Sequence, residues 1–356
     1  LLGTGTAVEP PALLAELDEL EGRSIDVTRL FVSSRAHVVM PYHRVFDRVE
    51  DEERGRFRVE TTGRGIGPAY TDKYGRIGIR VGELLNEQVL REKLAIVLHR
   101  RNLILEKVYG EPPVDEERLV ADCLAWGEKL RHRIVDTVPI MRVALRTNKR
   151  LVLEGQLSAM KDVDWGSYPY VTSSSPTSGG ASVGAGIPPR SIDRVIGVAK
   201  AYSTQVGTGP MPTELHDAMG EQLRQLGGEF GATTGRPRRI GWFDTVVTRY
   251  VAELNGLTDL AITKLDLLDT LAQIPVCIGY THKGERLDDM PDEETHAECE
   301  PVYEALPGWQ KPTTAARRLE DLPRNARAYL DLLTETVGVP LHSVGVGPHR
   351  DQTIGV

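Results

Sequence analysis

Apolar and polar positions along this 356-residue chain follow two rhythms. In PPALLAELDELEGR, Leu13, Leu14, Leu17 and Leu20 recur at helical spacing, which predicts an amphipathic helix. The longest such signal runs from Asn86 to about Tyr109, where good helix formers carry an apolar stripe. A second long helix is expected from about Asp115 to Asn148, broken or bent near Pro139. The other rhythm is short and continuous. RLVLEG and IPVCIGY read as short buried strands, and DLAITKLDLLD as a β-rich run ending in carboxylates. Strands interleaved with helices predict an α/β fold with a mainly parallel central sheet flanked by helices. Ligand crevices in such sheets lie where strands end. The small, polar stretch 155–186 is expected to be a folded loop system, and the acidic stretch 282–298 an exposed excursion. No linker composition divides the chain, so residues 1–356 are read as a single domain.

Composition narrows the possible partners. With 40% hydrophobic residues and 35 glycines the chain can bury a core of normal size. A formal net charge of -8 argues against nucleic acid and against an anionic membrane surface, since both call for basic patches. No apolar run approaches a membrane span. Cys123, Cys277 and Cys299 are sparse and match no metal-ligand spacing, which implies reduced thiols in a cytoplasmic protein. The first residue is Leu1, and LLGTGTAVEPP reads as the middle of something longer.

The tetrapeptide TTGR occurs twice, in VETTGRGIGPAYTDKYGR from Val59 and in GATTGRPRRIGWFDT from Gly231. The flanks do not match, so this is not an internal repeat. Each copy joins two hydroxyls, glycine amides and a guanidinium, a set suited to an anion. In the second, Arg236, Arg238 and Arg239 cluster within an acidic chain, and arginine forks fit carboxylate or phosphate. A tight turn and a solvated arginine run are the plainer alternatives. TKLD, at 263–266, places Lys264 and Asp266 two apart. Such a pair can read guanine, the lysine stem covering the ring and the carboxylate accepting from the ring N–H and the exocyclic amine. A helix N-cap at Asp266 is the commoner use of such a residue.

The stretches TTGRGIGPAYTDKYGRIGIRVGEL, DVDWGSYPYVTSSSPTSGG, AKAYSTQVGTGPMPTEL, GEFGATTGRPRRIGWFDTV, ITKLDLLD, PVYEALPGW and VGVGPHRDQTI together resemble adenylosuccinate synthetase, in family order and over nearly the whole chain. The resemblance implies that family's fold, similar to P-loop NTPases. It also implies the GTP- and Mg2+-dependent ligation of IMP and L-aspartate to adenylosuccinate, through 6-phosphoryl-IMP. On the matching positions, Thr62, Gln156, Thr172, Val206 and Arg236 would bind IMP. Arg76 would reach the IMP phosphate of the neighbouring subunit in a homodimer. Thr233, Thr234 and Arg236 would face aspartate, and Arg238, Lys264, Leu265, Asp266, Gly345, Val346 and Gly347 would hold GTP.

Two departures stand out. The family's EGAQG appears as EGQLS, so Leu157 stands where an IMP-contacting glutamine is expected and Gln156 is one position early. The family's GDEGKGK and GGxNAGHT segments, which carry the catalytic Asp and His and the magnesium contacts, do not occur here. The chain is therefore expected to be N-terminally truncated and inactive as it stands. The alternatives are a relative acting on another purine monophosphate, or a non-catalytic dimer partner.

Overall fold

A computed structural model describes residues 1–232 and 234–356, which gather into two compact units. The first comprises Leu1–Ser158 and Thr172–Ser191, the second Ala159–Val171 and Ile192–Val356.

The first unit is mostly helical. Its elements are β1 (Ala7–Val8), α1 (Pro10–Gly22), β2 (Val32–Ser33), β3 (His37–Val38), α2 (Pro41–Glu53), α3 (Ile66–Tyr74), α4 (Glu87–Ile104), α5 (Glu116–Leu130), β4 (Ile134–Val135), α6 (Thr137–Arg146) and α7 (Ser178–Ala185). Helix α4 shows why these residues form these elements. Asn86 Oδ1 accepts from the Val89 amide at 3.2 Å and caps it, while Leu90, Leu94, Val97 and Leu98 fall on one buried face. Each such buried leucine contributes about 1.5–3 kcal/mol. They meet Leu13 and Leu17 of α1, Tyr42 and Phe46 of α2, and Leu119, Val120 and Cys123 of α5.

The second unit supplies the sheets. It contains β5 (Ile196–Lys200), β6 (Ser203–Gln205), α8 (Ala218–Gly227), β7 (Arg239–Gly241), β8 (Phe243–Asp244), α9 (Thr245–Asn255), β9 (Asp259–Thr263), β10 (Gln273–His282), β11 (Glu285–Leu287), α10 (Glu293–Glu298), β12 (Glu300–Pro307), α11 (Arg324–Val337), β13 (Leu341–Gly345) and β14 (Thr353–Gly355). In the sheet ordered β14-β13-β9-β5, the β13–β9 and β9–β5 pairs are parallel and β14 closes one edge antiparallel. Strand β10 pairs antiparallel with β11 and β12 and parallel with β8. Leu260, Ile262, Ile274, Val276 and Val344 from the strands share a core with Leu223 of α8, Ala252 of α9 and Tyr329, Leu330 and Leu333 of α11.

Parallel strands flanked by helices are as expected, but several local expectations need correction. RLVLEG is not a strand. Val152 is 93% exposed, and no described strand offers this run the ladder partner that a strand requires. The second long helix is interrupted at residues 131–136 rather than at Pro139. Pro139 lies in the first turn of α6, where its missing N–H costs nothing. Strand β10 is longer than IPVCIGY. The polar stretch 155–186 is irregular at first, yet its end forms α7, capped by Thr177. Residues 282–298 are largely exposed but folded, as the β10–β11 turn, β11 and α10. All three cysteines are free and buried.

Candidate functional site

The first TTGR is held by carboxylates from α2. The Val59 amide donates to Asp51 Oδ1 at 2.9 Å, the Thr61 amide to Asp51 Oδ2 at 3.3 Å, and the Gly65 amide to Asp47 Oδ2 at 2.8 Å. Gly65 sits at φ 78°, and a Cβ there would meet the His43 backbone at 2.8 Å. The chain turns helical at Ile66, directly after this glycine.

Helix α3 is then pinned through Asp72, which is fully buried. His43 Nε2 donates to it at 2.9 Å, Tyr42 Oη at 3.1 Å, and Arg101 closes the cluster. The Met40 amide donates to His43 Nδ1 at 2.9 Å, which leaves the proton on Nε2. Burial lowers the His43 pKa, so this imidazole is neutral. Burial alone would raise Asp72, but the contacts from His43 and Arg101 prevail and hold it below the usual carboxylate range.

Thr62 is exposed and lines a cavity of about 480 Å³ together with Arg44, Arg48, Arg58 and Thr61. The three arginines suit an anion, and sequence reasoning missed them. Arg44 and Arg48 are one helical turn apart on α2, and that spacing was the available signal. Arg76 does not line this cavity. It is exposed at φ 62° beside another, of about 390 Å³, with His37, Lys73, Arg80 and Lys93. Burial, then Lys73 and Arg80, push the His37 pKa down to about 4. Gln156 is exposed, Thr172 is half-buried, and Leu157 takes a left-handed φ of 76°.

The second TTGR belongs to the other unit, and Thr233 lies outside the described residues. The Gly231 amide donates to the Arg236 carbonyl and the Gly235 amide to that of Gly231, both at 2.7 Å. Thr234 Oγ1 accepts from Arg236 Nε at 3.2 Å. At the base of the loop, the Arg238 amide donates to the Glu229 carbonyl at 2.9 Å and Arg238 Nη1 to Glu229 Oε2 at 2.6 Å. Strand β7 carries Arg239 alongside β6, where Gln205 is its partner and Val206 follows. Arg239 Nη1 donates to the Gly209 carbonyl at 2.8 Å and its Nε to Glu214 at 2.8 Å, which fixes the Val206 loop.

The TKLD stretch follows β9, at the end of the parallel strands. Lys264 takes φ 60° and begins a short 3-10 turn, so Asp266 lies inside that turn and caps nothing. The N-cap reading of Asp266 is therefore corrected. Asp266 Oδ1 is buried and accepts no hydrogen bond among the described residues, and burial raises its pKa. A buried carboxylate oxygen without a donor is costly unless a ligand supplies one. Register brings Gly345 beside this turn, since Val344 pairs with Ile262, and a Cβ on Gly345 would lie 3.4 Å from Thr263 Cα. Leu265 and Val346 are fully buried, so their side chains are not available to a ligand. Glu229 was also missed, although it bonds both Lys264 and Arg238.

A turn at the end of parallel strands with an unsatisfied aspartate, together with loops that combine hydroxyls and arginines, defines an α/β protein built to handle anionic, nucleotide-like ligands. The family model described as Adenylosuccinate synthetase matches residues 1–354. An adenylosuccinate synthetase of a Cyanothece strain is 50% identical over 99% of this chain and 80% of its own length. That of Frankia alni is 49% identical over 99% of this chain and 83% of its own. The fully ligated adenylosuccinate synthetase of Plasmodium falciparum superposes with a TM-score of 0.93 at 35% identity, covering 99% of this chain and 84% of that one. A cyanophage S-2L succinoaminodeoxyadenylate synthetase shares the fold alone, with a TM-score of 0.56 at 18% identity, over 99% of this chain and 75% of that one. The chain belongs to the adenylosuccinate synthetase family. The chain spans 80 to 84% of the length of the three adenylosuccinate synthetases.

Proposed function

We propose that this protein ligates IMP and L-aspartate to adenylosuccinate, using GTP to phosphorylate the hypoxanthine oxygen before the aspartate amine displaces that phosphate. The two units serve one synthetase domain. The observation that carries this reading is the buried, unsatisfied Asp266 Oδ1 beside Lys264. The guanine edge offers a ring N–H and an exocyclic amine to that carboxylate; adenine lacks both donors there. Gly345 and Gly347 back the base, and Leu265 and Val346 contribute through backbone only. Arg238 serves the GTP phosphates, while Thr233, Thr234 and Arg236 take aspartate.

Thr62 donates to the IMP phosphate within the arginine-lined cavity. Gln156, Thr172, Val206 and Arg236 complete the IMP contacts. Arg76 serves the neighbouring subunit's IMP in a homodimer, consistent with its exposure in a cationic recess. Magnesium belongs to the family's chemistry. Among the described residues no three His, Cys, Asp or Glu side chains converge as a metal site needs, so none is assigned to it. No described helix is long and apolar enough to cross a membrane, and action in the cytoplasm is part of the proposal.

The test measures GTP- and aspartate-dependent conversion of IMP by absorbance, with Asp266→Asn alongside. The variant is expected to raise the KM for GTP about 10- to 100-fold, the worth of a hydrogen bond to a charged group. An unchanged KM would remove Asp266 as the guanine reader, and no turnover of IMP by the unaltered protein would overturn the function. A second reading, a different purine monophosphate as acceptor, rests on Leu157, which stands left-handed and exposed where a glutamine was expected. Turnover of another purine monophosphate in preference to IMP would favour it.

A further inference from the structure

The buried carboxylate of Glu229 joins two parts of the second unit that are distant in sequence. Its Oε1 accepts from Lys264 Nζ at 2.7 Å, Tyr202 Oη at 2.7 Å and Lys200 Nζ at 2.9 Å. Its Oε2 accepts from Arg238 Nη1 at 2.6 Å and again from Lys200 at 2.8 Å. The side chain is 0% exposed. Burial would raise its pKa, yet the bonds from Lys200, Lys264 and Tyr202 outweigh this and hold it at about 2. Glu229 is therefore charged at every working pH. Three cations share one carboxylate whose lone pairs are all engaged, so moving any one of them changes the hold on the others.

The cations have different roles. Lys264 begins the turn that carries Asp266. Arg238 closes the base of the second TTGR loop, where its amide also bonds the Glu229 carbonyl. Lys200 ends β5 and is held as well by Thr204 at 2.8 Å, so it stays in place. Lys264 donates to the Gly227 carbonyl at 2.7 Å as well, whereas Arg238 holds Glu229 through one side-chain bond, to Oε2, so Arg238 is the cation able to exchange Glu229 for an incoming anion.

We propose that Glu229 is a positioning residue that couples the guanine-reading turn to the second TTGR loop, so that nucleotide bound at one strengthens amino-acid binding at the other. This rests on the assignment of GTP and aspartate made above. A base stacked on the Lys264 stem fixes that ammonium on Oε1. A phosphate that draws Arg238 from Oε2 loosens the base of the loop. Coupling of this kind is reciprocal, so aspartate must strengthen GTP binding by the same factor.

The experiment measures the KM for aspartate at limiting and at saturating GTP, in the unaltered protein and in Glu229→Gln. In the unaltered protein saturating GTP is expected to lower that KM about 10-fold, within the usual range of coupling between sites. In Glu229→Gln the KM values for GTP and aspartate should both rise, that for IMP should change less than about 2-fold, and the GTP dependence should vanish. Glu229→Asp, which keeps the charge, should restore part of the coupling. If Glu229→Gln does not fold, Tyr202→Phe loosens Oε1 while leaving every cation in place, and should weaken the coupling to an intermediate value. An unaltered enzyme that turns over IMP with an aspartate KM independent of GTP would overturn the coupling and leave the function standing. So would a variant in which the GTP dependence survives. An unaltered protein that does not turn over IMP would overturn the function itself.

Discussion

The two TTGR loops share four residues and, eight positions after the arginine, a buried aspartate: Asp72 follows Arg64, and Asp244 follows Arg236. Their surroundings are opposite. The first loop is tied from outside by Asp47 and Asp51, and its aspartate is met by Arg101, His43 and Tyr42. The second closes mainly on itself, with Glu229 at its base. Asp244 accepts from Tyr280 Oη at 2.6 Å and caps α9 through the Val246 and Val247 amides, with no cation in the set. Burial therefore wins there and lifts its pKa to about 6. The tetrapeptide supplies hydroxyls, amides and a cation, while stiffness is set by carboxylates that other elements bring.

Removing the first loop's anchor should give the largest effect. Asp72→Ala leaves Arg101 without its buried counter-charge and is expected to cost about 3–5 kcal/mol in urea unfolding. A loss below about 1 kcal/mol would show that the anchoring lies elsewhere.

Next in size is a pH effect at Asp244. Because its folded pKa is raised from 3.8 to about 6, its favourable contribution is complete below pH 3.8 and is lost as pH rises through 6. Asp244→Asn should therefore gain on the unaltered protein between pH 4 and 7, by up to about 3 kcal/mol. Melting curves across that range check it, and parallel pH profiles would contradict a raised pKa. Asp72 behaves in the opposite sense: its stabilisation is present above pH 3.8 and is lost only in stronger acid.

The smallest test compares two left-handed glycines. Gly65→Ala meets both a positive φ and the His43 backbone, and should cost about 2–3 kcal/mol. Gly235→Ala, at φ 67° with nothing within 4 Å, should cost only about 1 kcal/mol. Equal losses would mean that the two loops are equally constrained.

What could be read from the sequence was local. The stripe of α4, the Leu13–Leu17 face of α1 and the strand before TKLD depend on neighbours a few residues apart, and all are present. RLVLEG looked like a strand because its own residues favour one, but a strand also needs a partner, which no short window reveals. The break before α6 was assigned to Pro139 because proline is the visible breaker, although its position in a first turn is harmless. At the site, the loops and Asp266 were legible as motifs. Asp47, Asp51 and Glu229 were not, since they act on residues 7 to 35 positions away.

The three buried thiols have a practical use. Burial pushes Cys123 up to about 12 and raises Cys277 and Cys299 as well, so an alkylating reagent finds no thiolate while the fold is closed. Cys123 belongs to the first unit, and Cys277 and Cys299 to the second. Their labelling rates are thus two independent clocks, each running only when its own core breathes open.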